Sequence, residues 1–368
     1  MDLKKIFLNY ESLLFLCGQV VAGALNYLFQ IYCARTMVST DFGNWSHWLA
    51  QFSVVCFAGV WLQSVAIISN AESLLTRNNA RFALIILSVV LFISYLVSSV
   101  WVMSVAGWGL ALLGGFLFGL NLRKKNLYIL AAATILSPIL KFIWVILSKN
   151  QNDFYMAILI APIASCFIFL FWSQPESKSM KESKAEFSGP MLLSALCLAF
   201  FSAWTPQADL IIIARILSEE DFGIYAKVAL LSKGFFFCFQ ILAQLVLVHQ
   251  VQSLQNRLTV KATATLAFLG GVFSIAGVGV ARYFGWPTDW ALLSLLHITC
   301  LCLMYVLIQD FAALQKGKWA LSLCCSSVVF ALIFGSFLPV VWYWLGTIAA
   351  DLIILAGGFY LLQRANRH

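Results

Sequence analysis

From residue 12 to residue 362 the chain is a nearly continuous series of apolar runs, each close to the length of a bilayer-crossing helix. About 20 consecutive apolar residues are needed to span the hydrocarbon, and inside it every backbone N–H and C=O must be satisfied within the segment, so such runs read as helices. Twelve can be placed: roughly 12–33, 44–68, 82–102, 105–121, 128–148, 154–172, 191–214, 223–249, 262–281, 290–310, 319–339 and 341–362. In 82–121 and 319–362 two runs meet almost without a loop, and Gly107 and Pro339 are the expected turn points. Apolar residues make up 62% of the chain, charged residues 10%, and the mean hydropathy is +0.91. That balance excludes a soluble domain of this length and points to an all-α membrane protein with about twelve transmembrane helices.

Lys and Arg exceed Asp and Glu by eight. A basic surplus can signal nucleic acid, but here cytoplasmic loops account for it and no nucleic-acid partner is expected. With the N-terminus inside, the inner loops and tails hold sixteen cations: Lys4, Lys5, Arg77, Arg81, Arg123, Lys124, Lys125, Lys178, Lys181, Lys184, Arg257, Lys261, Lys316, Lys318, Arg364 and Arg367. The outer loops hold four, Arg35, Lys149, Arg215 and Arg282. The asymmetry predicts that both termini are cytoplasmic. The basic stretch Met1–Tyr10 runs into apolar sequence without a small-residue cleavage site, so a retained first helix is expected. The ten Cys lie within the apolar runs, without zinc-like spacing, and read as small packing residues. P-loop, GxSxG and HExxH patterns are absent, no loop has room for a catalytic domain, and a non-enzyme is expected.

One short stretch occurs twice. Ile31–Trp45 and Ile211–Tyr225 share Ile, Ala-Arg and Asp-Phe-Gly at an offset of 180 residues, almost half the chain of 368. Each copy joins two apolar runs as a tight turn at a membrane face. Arg35 and Arg215 can snorkel to headgroups, and Ser218-x-x-Asp221 has the spacing of a capping box. Gly43 and Gly223 would allow close helix approach, while Asp41 precedes the second helix. Phe42, Trp45, Phe222 and Tyr225 are expected at interface depth. The most polar segment, 173–188, divides the chain into an N-terminal six-helix lobe (1–172) and a C-terminal one (189–368), with 173–188 as a cytoplasmic linker. Six is even, so both copies of the repeat face the same side and the lobes are expected to be parallel repeats.

The repeat, AR-x5-DFG-x-aromatic after the first and seventh helices, resembles the pattern of Wzx-type polysaccharide flippases. These belong to the multidrug/oligosaccharidyl-lipid/polysaccharide (MOP) exporter superfamily, together with the MATE drug exporters and MurJ-type lipid II flippases. Arg35, Asp41, Phe42, Gly43 and Trp45 match the pattern, as do Arg215, Leu217, Asp221, Phe222, Gly223 and Tyr225. The resemblance implies a MATE-like fold in the bacterial cytoplasmic (inner) membrane. It also implies translocation of an undecaprenyl-diphosphate-linked oligosaccharide for O-antigen, capsule or exopolysaccharide assembly. Membrane lipids, a polysaccharide polymerase and a chain-length regulator are the partners it implies. No cofactor is expected; a coupling proton or sodium ion is left open.

Intramembrane ionisable and amide residues are the candidates for the path of an anionic, hydroxyl-rich head. Lys233 lies near the middle of the eighth run, with Gln240 and Gln244 at i+7 and i+11. Gln19, Asn26 and Gln30 repeat that spacing in the first run. Lys141 in the fifth run offers a second cation for the diphosphate. Asp209, three residues beyond Pro206, is a candidate for pairing with Lys233 or Lys227 or for carrying a coupling proton; His47, with Gln51 at i+4, is a weaker proton candidate. Asp351 has no partner evident in the sequence. Two other functions compete. A MATE-like small-cation exporter would want a cavity dominated by carboxylates and aromatics. A glycan polymerase or ligase would want a large outer loop with catalytic Arg residues.

Overall fold

The computed structural model describes residues 10–68, 77–96, 99–124, 126–147, 151–172, 189–253, 257–313 and 316–365. The linker 173–188 lies outside them. Among the described residues the chain is helical throughout: α1 (Tyr10–Thr36), α2 (Ser39–Val55), α3 (Phe57–Ile68), α4 (Arg77–Leu96), α5 (Val100–Arg123), α6 (Leu127–Leu147), α7 (Gln151–Trp172), α8 (Gly189–Trp204), α9 (Ala208–Ile213), α10 (Glu219–Ser253), α11 (Arg257–Tyr283), α12 (Thr288–Ala313), α13 (Gly317–Phe337) and α14 (Val340–Ala365). Helices α2 and α3 are one run interrupted at Cys56, and α8 and α9 one run interrupted at 205–207, so fourteen helices correspond to the twelve expected spans. Six of them are by themselves long and apolar enough to cross a membrane.

Boundaries mostly fall where local chemistry demands. Pro206 has no N–H to give, and the α8–α9 run breaks there into a turn held by Thr205 N–H to Phe201 O and Gln207 N–H to Trp204 O, both 2.9 Å. Pro339 separates α13 from α14 as expected. In 82–121 the break differs from the expectation: Gly107 is buried inside α5, and the interruption precedes Val100, at Ser99. Ser99 is extended and stands at the N-cap of α5, a position serine favours over helix interiors, whereas a single helical glycine costs only about 1 kcal/mol.

The chain forms two compact units. One comprises residues 1–33 and 55–188, the other residues 34–54 and 189–368. In the first, α5 packs on α3, α4 and α7, and α6 packs on α7. Helices α3 and α5 meet backbone to backbone: a Cβ on Gly59 would sit 2.7 Å from Ala111 O, and Cβ atoms on Gly115 and Gly119 would collide with Gly59 O and Gln63 O. This is the small-xxx-small contact of membrane helices. In the second unit α12 is central, touching α8, α10, α11, α13 and α14. Its apolar window is 72% buried against 28–50% for the other five long apolar helices, which makes it the interior helix of that bundle. Phe201, Phe235, Phe236, Phe239, Leu307 and Phe311 form the core around it.

Candidate functional site

In the first unit the structure brings Lys141 and Asn26 together. Lys141 Nζ donates to Asn26 Oδ1 at 2.7 Å, and the Asn26 amide is aimed by its own bond to Ala22 O, 3.0 Å away. Pro138 lies one turn before Lys141 within α6, and Phe142 packs edge-on against Phe29, ring centroids 5.5 Å apart. Among the described residues no carboxylate contacts Lys141. Its neutral partner takes one of three ammonium donors. Gln19 and Gln30 are half-buried elsewhere on α1.

The second unit holds a denser polar group. Asp209 opens α9; one carboxylate oxygen accepts the Leu210 N–H at 2.8 Å and the other accepts the Tyr225 hydroxyl at 2.6 Å. Lys233, fully inside the bundle on α10, acts electrostatically on Asp209. Lys227 does not pair with Asp209; its ammonium donates to Ser39 Oγ at 3.0 Å. Beyond Asp209, His297 Nε2 on α12 lies 3.3 Å from Asp351 Oδ2 on α14, both buried, and forms an ion pair when the imidazole carries a proton. Tyr343 OH and Gln207 Oε1 are buried there without a hydrogen-bond partner among the described residues. Unsatisfied buried polar atoms are costly, and their clustering marks a place that water or an ion can complete. The side chains of Gln240 and Gln244 lie outside the described residues.

Both hairpins fall within the second unit and touch. Gly43 faces Gly223 so closely that a Cβ on Gly43 would lie 3.1 Å from Gly223 Cα, and one on Gly223 would collide with Ser39 O. The capping box forms: the Ser218 hydroxyl accepts the Asp221 N–H at 3.2 Å and donates to the Asp221 carboxylate at 2.8 Å. His47 Nδ1 is 3.3 Å from Leu210 O, and Gln51 Nε2 is 2.8 Å from His47 Nε2. Since the Gln51 amide donates to Nε2, Nδ1 carries the proton and gives it to the carbonyl. Arg35 lies with its guanidinium 5.8 Å from the Phe284 ring centre; Arg35, Arg215 and Asp221 are exposed and Asp41 half-buried. Phe42, Trp45, Phe222 and Tyr225, the aromatics of the two hairpins, are buried in the unit. Gly-to-Gly contact brings the hairpins close enough for these rings to fill the space around it.

The residues that sequence reasoning left unassigned are Tyr343 and the His297–Asp351 pair. A signal was available: Tyr343, Thr347 and Asp351 recur every four residues on α14, and all three are buried.

No protein-family model and no curated protein matches this sequence. Solved structures do. The outward-facing conformation of a multidrug-resistance MATE-family transporter of the MOP superfamily aligns with 100% of this chain and 97% of its own, at TM-score 0.58 and 12% identity. An inward-facing MATE transporter aligns with 97% of this chain and 96% of its own, at TM-score 0.54 and 12% identity. The inward closed conformation of the lipid II flippase MurJ aligns with 95% of this chain and 87% of its own, at TM-score 0.61 and 15% identity. The chain is a multi-pass, all-helical membrane protein with the fold shared by MATE transporters and MurJ.

Proposed function

We propose that this protein is a Wzx-type flippase. It moves a polyprenyl-diphosphate-linked oligosaccharide from the inner to the outer leaflet of a bacterial cytoplasmic membrane for surface polysaccharide assembly. The observation that carries the reading is Lys141: an intramembrane ammonium whose partner is a neutral amide, with no carboxylate contact among the described residues. A buried charge left without a counter-ion is expensive. A diphosphate head would supply that counter-charge, whereas a cationic drug would be repelled. Lys233 is the second cation of the proposed path, with Gln19, Asn26, Gln30, Gln240 and Gln244 as hydroxyl-binding amides.

Asp209 is the proposed coupling group. Its carboxylate is shared by Tyr225 and Leu210 and faces the charge of Lys233. A proton or sodium ion arriving there would release Lys233 for the anionic substrate. The two hairpins act as the outer gate, closed when Gly43 and Gly223 are in contact. Alternating access then requires that contact to break, and the substrate shifts the balance only by binding one state better than the other. The test is export in cells lacking a flippase for their own glycan. Wild type restores surface polysaccharide; Lys141→Ala does not, with folded protein at normal level, and Lys141→Arg restores part of it. Full export by Lys141→Ala removes the basis of the reading.

A further inference from the structure

One cation of the first unit that the function leaves unused is Arg81. It sits in the first turns of α4, and its guanidinium lies over the ring of Phe171 at the last turn of α7, 5.1 Å from the ring centre. Its Nε is buried and has no hydrogen-bond partner among the described residues. Neither α4 nor α5 carries an acidic residue, and the single one on α7, Asp153, is at that helix's opposite end. Among the described residues, Arg81 is therefore a stacked, oriented cation without a carboxylate partner.

Below it the surface changes character. Ile85, Val89 and Ile93 follow Arg81 at i+4, i+8 and i+12, and all three are exposed. They form one continuous row on α4 that ends about 18 Å from Arg81 at 1.5 Å per residue, the three apolar side chains themselves covering about 12 Å. Half the hydrocarbon thickness is about 15 Å. On α7, which packs against α4, the exposed rings of Phe167 and Phe171 lie 4.4 Å apart and run alongside, with Trp172 exposed at the end. An aromatic plate, a fixed guanidinium and an apolar strip covering most of a leaflet make up the shape of a single lipid: phosphate at one end, acyl chain along the other. The charge asymmetry of the loops puts the Arg81 end on the cytoplasmic side.

We propose that the α4–α7 face of the first unit binds one anionic phospholipid of the cytoplasmic leaflet. Arg81 holds its phosphate, Phe171 keeps the guanidinium flat, and the Ile85–Val89–Ile93 row carries an acyl chain. The inference does not depend on what the protein transports. A soluble acidic partner would gain nothing from the apolar row, which lies at hydrocarbon depth.

The test is native mass spectrometry of the full-length protein in detergent, titrated with phosphatidylglycerol and, separately, with phosphatidylcholine. Wild type should retain phosphatidylglycerol over phosphatidylcholine. Arg81→Gln should lower phosphatidylglycerol retention about fivefold, the worth of one basic residue at a membrane surface. Arg81→Lys should keep part of it. Phe171→Leu, which leaves the charge but removes the plate, should fall between, and it serves as the test if Arg81→Gln does not fold. Equal retention by wild type and these variants, or equal retention of the two lipids by wild type, overturns the proposal. So does retention of a polyprenyl diphosphate with no retention of phosphatidylglycerol.

Discussion

Replacing Gly223 with Ala probes the hairpin contact through a single carbon. The added Cβ would collide with the carbonyl of Ser39, with Thr40 N only 3.0 Å away. Both are backbone atoms at the start of α2, so no side-chain rotation relieves the clash. The hairpin must move. Overpacking of this kind costs about 1–3 kcal/mol, and at about 1.4 kcal/mol per factor of ten the docked state loses roughly 5- to 150-fold in population. Gly43→Ala should be milder, because its Cβ meets Gly223 Cα and the Phe222 ring at 3.1 Å, which a shift of tenths of an ångström relieves. Gly271→Ala in α11 meets nothing within 4 Å and serves as the control. The assay is cross-linking of Thr40→Cys with Glu220→Cys by a short bis-maleimide, in a background with the ten native Cys replaced. The expected order of cross-linking yield is Gly271→Ala equal to the parent, Gly43→Ala reduced, Gly223→Ala lowest. A Gly223→Ala yield equal to the parent would refute the contact as the determinant of docking.

Other consequences follow from the same geometry. Tyr225→Phe removes the hydroxyl that Asp209 accepts and should destabilise the folded protein by about 1–3 kcal/mol, read as a lowered midpoint in detergent thermal unfolding; an unchanged midpoint argues against that bond. Lys233→Met and Asp209→Asn should each impair folding or export more than the double variant does, because each single change strands a buried charge; additive losses would show that the two do not interact. Reporter fusions at Arg81, Lys184 and His368 should read cytoplasmic and one at Asp153 outside; an outside signal at Lys184 would overturn the two-lobe assignment.

Much of this fold is written locally. The apolar runs, the Pro206 break, the Pro339 turn and the Ser218–Asp221 box all depend on residues within a few positions of one another, and the structure realises them. What local pattern does not carry is pairing between helices. Asn26 and Lys141 are 115 residues apart, Ser39 and Lys227 are 188, and His47 reaches a carbonyl 163 positions away. Each is fixed by how helices pack, which composition and spacing leave undetermined. The misplaced break near Gly107 has a similar origin: the glycine is used for burial within α5 and not for turning. The burial of the hairpin aromatics is likewise not written locally: Gly43 and Gly223 bring two such stretches together and the rings fill the space around them.

The central claim is that buried lysines carry an anionic lipid-linked glycan across the bilayer. Its most direct test is reconstitution into sealed liposomes loaded, in one leaflet, with a fluorescent polyprenyl-diphosphate oligosaccharide. The readout is the fraction of glycan that becomes reachable by an impermeant glycosidase on the other side. The account predicts transfer by the wild-type protein, loss of transfer with Lys141→Ala or Lys233→Ala, and partial recovery with Arg at either position. Transfer that is equal in wild type and both Ala variants, or a wild-type protein that leaves the glycan in place while exporting an organic cation, would contradict it.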